Sequence, residues 1–312
     1  MGVSFGLLGG ISITRVMAGH GASTRVAAAR VDAAPVHDRA STAPSSLSLA
    51  APPFSWDYRS LREHPATGAP PNRSHAVLMA DVTSGRVLYT RNPHQRMPPA
   101  STAKLMTAMI ALDGNDPSTV VTVPAEATRV EPNVMGLTAG ERLPVGELLT
   151  GLLLDSGNDA AETLARATSG STEAFVAVMN RRAVELGLSD THFVNPSGLD
   201  DPDQFSSAHD LAVMAAYLER YYPLLAQIVS SKEVSIRGTG DHKAFDPINL
   251  NKLLWTYRGA IGFKTGLTDS AGTCLVAGAR RGDHTIVLVE LNDPLIFTDA
   301  TAMLDYGFRR AG

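Results

Sequence analysis

The chain has 312 residues, 44% of them hydrophobic and 19% charged, a composition that supports a substantial folded core. A formal net charge of -4 gives no overall basic field to hold phosphate backbones, which argues against nucleic acid as a partner. The single cysteine, Cys274, excludes an intramolecular disulfide and reads as a small buried hydrophobe within the apolar run 273–277, and no Cys/His cluster has zinc-ligand spacing. No uninterrupted apolar run reaches the ~18 residues of an ordinary membrane-spanning helix. At the N-terminus, residues 3–13 are mostly apolar and the small residues Ala27, Ala28 and Ala29 follow, a loose match to a secretory signal. No basic segment precedes that run, so a disordered tail remains the alternative. Residues 21–72, rich in Ala, Ser, Pro and Arg and without sustained periodicity, are expected to form a flexible leader. The chain thus divides into a leader at 1–72 and a folded domain at 73–312.

The folded part opens with an apolar run at 75–81, turn chemistry at Thr83-Ser84-Gly85 and a second strand pattern at 86–90, a hairpin candidate. Pro98 and Pro99 then favour entry into an apolar helix that Gly114 can end, which puts Ser101 in the first turn. From about 140 to 220 the pattern is helical, interrupted at Ser156-Gly157-Asn158, with helices expected at about 159–168, 172–187 and 207–220. Strands return at 234–237, 260–265, 273–281 and 285–291, and a helix closes the chain at about 297–308. An early hairpin, a helical middle, late strands and a terminal helix predict one α/β domain of the α+β kind, an antiparallel sheet flanked by helices with a helical subdomain.

Three short elements carry candidate chemistry. Ser101-Thr102-Ala103-Lys104 sets a hydroxyl and an amine three apart on a helix, on one face and within mutual reach. A desolvated lysine, or one near a second cation, has a lowered pKa and can take the serine proton. Taken alone, a Ser-x-x-Lys match arises by chance in a chain of this length. Ser156-Gly157-Asn158 adds a hydroxyl and an amide in a tight loop, and its bland reading is a helix cap. Lys264-Thr265-Gly266 ends an expected strand, where the glycine lets a ligand approach the backbone; its bland reading is a strand-end turn with a solvated lysine. The combination changes the balance. The elements occur in this order on a helix start, an inter-helix loop and a strand, the set used by active-site serine penicillin-recognising enzymes, and two of the chain's five lysines fall in them.

Over residues 76–308 the sequence resembles the low-molecular-mass serine penicillin-binding proteins that act as D-Ala-D-Ala carboxypeptidases. Besides the three motifs, the text Leu152-Leu153-Leu154-Asp155, Thr191-His192-Phe193-Val194-Asn195-Pro196-Ser197-Gly198-Leu199 and Gly262-Phe263 carries the likeness. The resemblance implies a β-lactamase/transpeptidase-like fold, with Ser101 as nucleophile, Lys104 as its base, Ser156 as proton relay to the leaving amine and Asn158 holding Lys104 and the substrate amide. It further implies that Lys264 and Thr265 bind the terminal carboxylate, with Gly266 beside them, and that the backbone N–H groups of Ser101 and Leu267 form an oxyanion hole. Two departures stand out: Leu267 replaces a usual histidine or aromatic residue, and residues 292–299 lack the arginine that helps some relatives bind the carboxylate. His192 and His209 are read as structural, Asp200, Asp201 and Asp203 as a solvated loop, and neither a metal nor a cofactor is expected.

The implied substrate is the peptidoglycan stem peptide and the implied covalent inhibitors are β-lactams, which places the enzyme outside the cytoplasm, secreted or associated with wall or membrane through its N-terminus. No room is expected beyond the terminal helix for the C-terminal β-domain and amphipathic anchor of several relatives. The alternatives on the same residues are a D,D-endopeptidase, a β-lactamase, and a non-catalytic peptidoglycan- or penicillin-binding protein. Glu173 and Glu185, the acids after Ser156, fall on expected helix rather than in the loop a class A β-lactamase uses.

Overall fold

The computed structural model describes residues 54–63 and 65–312. In chain order the elements are α1 (Arg59–Glu63), β1 (Ala76–Asp81), β2 (Val87–Arg91), α2 (Lys104–Gly114), β3 (Val120–Thr122), β4 (Arg142–Pro144), α3 (Val145–Leu153), α4 (Asn158–Ser169), α5 (Thr172–Glu185), α6 (Ala208–Tyr221), α7 (Pro223–Ser230), α8 (Leu253–Thr256), β5 (Ala260–Thr268), β6 (Gly272–Arg281), β7 (His284–Leu291) and α9 (Ile296–Ala311). The main sheet is antiparallel throughout, in the order β2-β1-β7-β6-β5, while β3 and β4 pair separately within the helical part.

Both faces of the sheet are covered, so β1, β6 and β7 carry apolar side chains to both sides rather than to one. In β1, Ala76, Leu78 and Ala80 join the core under the helical half, while Val77 and Met79 turn to the other face. In β7, Val287, Val289 and Leu291 go with the first set, and Ile286 and Leu288 with the second. That period of two is the pleat itself. The second face is closed by α9 through Ala300, Met303 and Leu304. On the first face, α2 is buried from Lys104 to Ala111 and α6 from Ala208 to Leu218 save His209, the mark of helices enclosed on all sides.

Two expectations need correction. Residues 54–72 were expected in the leader, yet Trp56 is buried, Asp57 exchanges backbone hydrogen bonds with Gly85 and Val87, and the Asn72 amide donates to Glu290. Aromatic residues scattered through a polar, proline-rich stretch anchor it to the domain. The remainder of the leader, residues 1–53, lies outside the described residues. Residues 234–237 form no strand of the sheet. They make isolated antiparallel bridges, Glu233 with Ile248 and Ile236 with Phe245, in an excursion between α7 and β5.

Beneath the start of α9, Glu290 of β7 is wholly buried, and its carboxyl is pushed well above the usual range by burial and by the negative charge of Asp293, against the Asn72 hydrogen bond. A carboxyl that is more basic folded than unfolded makes folding take up a proton, so its stabilising contribution is lost as pH rises from the unfolded value, ~4.3, through the raised folded value. Glu290→Gln, a neutral isostere, is therefore expected to flatten that decline and to be more stable than the parent at pH 8, read from urea unfolding midpoints at pH 5 and pH 8. A variant with the parent's pH slope would contradict this.

Candidate active site

Ser101 lies in a 3-10 turn, Ala100–Ala103, that feeds directly into α2. Ala100 sits at φ 48°, a left-handed conformation unusual for a residue with a side chain, and two glycines explain how the turn is held there. A Cβ on Gly198, itself at φ 86°, would stand 1.8 Å from the Ala100 carbonyl oxygen. A Cβ on Gly266 would stand 2.8 Å from Ala100 Cβ and 3.0 Å from the Ser101 nitrogen. The loop carrying Gly198 and the edge strand β5 thus clasp the serine turn backbone to backbone.

Lys104, one turn on, is fully buried. Its Nζ lies 2.8 Å from Ser101 Oγ, 2.7 Å from Asn158 Oδ1 and 2.6 Å from the Ser197 carbonyl oxygen. An ammonium group donates to all three. A neutral amine has two N–H groups and one lone pair; since the Asn158 and Ser197 oxygens can only accept, the lone pair is left to Ser101, whose hydroxyl then donates to Nζ. The amide orientation is fixed independently, because Asn158 Nδ2 donates to the Glu131 carbonyl at 2.8 Å. Burial, then the positive charge of Lys264, pull Lys104 well below the usual lysine range, with Asp159 opposing. Lys264 is also buried, which brings it down to about 7, with Asp155 opposing. Its Nζ donates to the Thr265 carbonyl at 3.1 Å.

The second motif sits where α3 ends and α4 begins. Ser156 is at φ 63° and nearly buried, and Asn158 is the first residue of α4. Residues not selected by sequence reasoning hold this corner. Asp159 accepts from the N–H groups of Met135, Gly136 and Leu137 at 2.8–2.9 Å, and the Asn158 N–H reaches the Asn133 carbonyl at 2.7 Å, so the segment 131–137 is fastened to the head of α4. Asn195 accepts through Oδ1 from the N–H groups of Ser197, Gly198 and Leu199, fixing the Ser197 carbonyl against Lys104. The turn sequence Asn-Pro-Ser-Gly is the signal that could have disclosed it. Asp200 is exposed in its loop, as expected, and accepts from Thr268 Oγ1 at 2.6 Å and from the Ser270 N–H at 3.0 Å.

These parts border a cleft of about 230 Å3 whose walls include Ser101, Ser156, Asn158, Thr265, Gly266 and Leu267. Lys104 and Lys264 stand behind the walls. His192 and His209 do not line it; the ring Nδ1 of His192 bonds the Asp203 carbonyl oxygen and that of His209 bonds Asp210.

Residues 64–294 match the family described as D-alanyl-D-alanine carboxypeptidase. The chain belongs to the D-alanyl-D-alanine carboxypeptidase family. It is 39% identical to the D-alanyl-D-alanine carboxypeptidase DacB2 of Mycobacterium tuberculosis, over 77% of this chain and 84% of that protein. It is 34% identical to DacF of Bacillus subtilis over 76% of this chain, but spans only 62% of DacF. Among solved structures, it resembles the Streptomyces K15 DD-transpeptidase with a TM-score of 0.74 and 30% identity, covering 78% of this chain and all of that one. A D-alanyl-D-alanine carboxypeptidase from M. tuberculosis gives a TM-score of 0.73 and 35% identity, over 79% of this chain and 95% of that one. The fold is therefore that of the penicillin-binding D,D-peptidases.

Because Gly198 meets the Ala100 carbonyl in a conformation that disfavours a side chain, Gly198→Ala is expected to displace the Ser101 turn. Misplacement by about 1 Å costs on the order of 100-fold in rate, and that loss should appear in the acylation rate by benzylpenicillin with the fold retained by circular dichroism. Acylation at the parent rate would show that the clasp does not position the serine.

Proposed function

We propose that this protein is a serine-type carboxypeptidase that removes the terminal D-alanine from peptidoglycan stem pentapeptides, with the roles distributed as follows. The reading is carried above all by the buried Lys104 Nζ held 2.8 Å from Ser101 Oγ, with two obligatory acceptors occupying its other directions. Ser101 Oγ attacks the carbonyl carbon of the penultimate D-alanine while its proton passes to the Lys104 lone pair. The N–H groups of Ser101 and Leu267 face the negative oxygen that develops. The C–N bond then breaks, the leaving amine takes a proton through Ser156, and D-alanine departs, leaving an ester on Ser101. Water hydrolyses the ester and restores the serine hydroxyl.

Asn158 keeps its oxygen on Lys104, and Lys264 with Thr265 binds the terminal carboxylate beside Gly266. A β-lactam offers a strained amide to the same serine and is retained as the acyl-enzyme. Glu173 and Glu185 lie on α5 and away from the cleft walls, which favours slow deacylation over β-lactamase activity. The substrate lies outside the cytoplasmic membrane, so we place the enzyme there, in wall biogenesis and maintenance of cell shape. No helix among the described residues is long and apolar enough to cross a membrane, and N-terminal membrane association belongs to the same proposal. The catalytic domain runs over 73–312, buttressed by residues 54–72.

Intact-mass spectrometry with excess benzylpenicillin is expected to show a covalent adduct on the parent and none on Ser101→Ala, together with D-alanine release from a stem pentapeptide by the parent alone. Intact drug with no adduct would favour a binding-only protein, and hydrolysed drug with no adduct a β-lactamase. The free-enzyme pH profile is a second test. Carboxylate binding needs Lys264 charged, and that charge is lost as pH rises through about 7. kcat/KM for the pentapeptide should therefore fall above that pH, and a flat profile to pH 9 would remove Lys264 from carboxylate recognition.

A further inference from the structure

The cleft walls carry no charged side chain. Pro132, Leu199, Leu250, Leu267 and Phe297 supply the apolar part, and Leu267 is 71% exposed. Lys264 is 1% exposed and faces Asp155. A terminal carboxylate arriving from water thus meets apolar rim and one sunken amine, and residues 292–299 supply neither arginine nor lysine. One solvent-exposed cation does border this rim. Lys252 follows Leu250 by two residues, and its Nζ lies 5.8 Å from the centroid of the Phe297 ring. That ammonium has no carboxylate or carbonyl partner among the described residues, so a cation–π contact is what holds it beside the cleft.

The side of the scissile bond follows from the backbone. The segment bearing Leu250 is clipped to the loop bearing Ser156: the Ile248 N–H donates to Asp155 Oδ1 at 2.9 Å and the Leu250 N–H to the Leu154 carbonyl at 3.4 Å. Ser156 serves the leaving amine, so the Leu250–Phe297 wall borders the departing residue, the one with the free carboxylate. We propose that Lys252 is a substrate-binding residue that captures this carboxylate at the mouth of the cleft, with Phe297 as its platform. The inference rests on the carboxypeptidase reading and assigns the cation that recognition of a free C-terminus requires at the surface.

The experiment compares Lys252→Gln and Lys252→Arg with the parent on a stem pentapeptide ending in D-Ala-D-Ala and on the same peptide with a C-terminal amide, assayed as substrate or as competitive inhibitor. A solvent-exposed ion pair is worth up to ~1 kcal/mol, about fivefold. Lys252→Gln should raise KM for the free acid by about that factor with kcat within about twofold, leave the amide peptide unchanged, and lose its defect at high salt, where exposed charges are screened. Lys252→Arg should restore the parent KM. An unchanged KM for the free acid, or an equal loss on both peptides, would overturn the assignment. Absence of both turnover and benzylpenicillin adduct in the parent would instead strike at the hydrolase reading. If the parent acylates without turning over peptide, the acylation rate by benzylpenicillin, which bears a carboxylate, decides the point: an unchanged rate in Lys252→Gln overturns the assignment.

Discussion

A lysine amine in a dry interior is tolerable only when every polar direction around it is answered, and that requirement at Lys104 governs this molecule. Desolvating an unpaired ammonium is expensive enough that a buried lysine surrenders its proton or finds acceptors. Here it finds three, contributed by its own helix turn, by the head of α4 and by the loop after α5, at sequence separations of 3, 54 and 93 residues. Two of the three are themselves fixed by another group, Asn158 by the Glu131 carbonyl and Ser197 by Asn195. Removing any one leaves a buried polar group unanswered, so the constellation stands or falls together.

That constraint explains why the sheet and the helical half meet where they do. The helical segments are inserted between β2 and β5, so the chain leaves the sheet after its second strand and returns to it at the opposite edge. The edge strand β5 then lies against the serine turn with Gly266 at the closest approach. An edge strand has backbone groups unclaimed by a sheet neighbour, and here that edge faces the cleft rather than open solvent. The same arrangement that exposes an edge gives the site a rigid wall.

Much of this was legible in the sequence because its signals are local. Ser101 and Lys104 sit one turn apart, Ser156-Gly157-Asn158 interrupts a helical pattern, and Lys264-Thr265-Gly266 closes an apolar strand, so spacing and order disclose them before any contact is known. The apolar strand runs and the apolar helix after Ser101 are legible for the same reason. Illegible were the parts played by backbone atoms: the carbonyls of Glu131 and Ser197 accept hydrogen bonds that any residue type could supply. Asp159 was visible as an acid but not as the acceptor that fastens residues 135–137, because that contact crosses more than twenty residues of chain, with β4 and α3 between. Trp56 and Asn72 were hidden by the average composition of the stretch around them, although single anchors suffice to dock a short segment.

The electrostatics of the site impose a division of labour. On the proposed mechanism the base that takes the serine proton must be neutral at the working pH, and burial with a second cation nearby depresses Lys104 in the direction that role needs. The same burial lowers Lys264, because a medium that disfavours charge on one lysine disfavours it on the neighbour. Deeper burial would sharpen proton transfer and blunt carboxylate attraction; greater exposure would do the reverse. The structure resolves the conflict by position. Asp155 faces Lys264 from the Ser156 loop and supports its charge, while Asp159, turned toward the N–H groups of residues 135–137, offsets only part of the depression at Lys104. Burial depresses both lysines; Lys104 is lowered further by the charge of Lys264, while Asp155 opposes the depression at Lys264 and Asp159 that at Lys104.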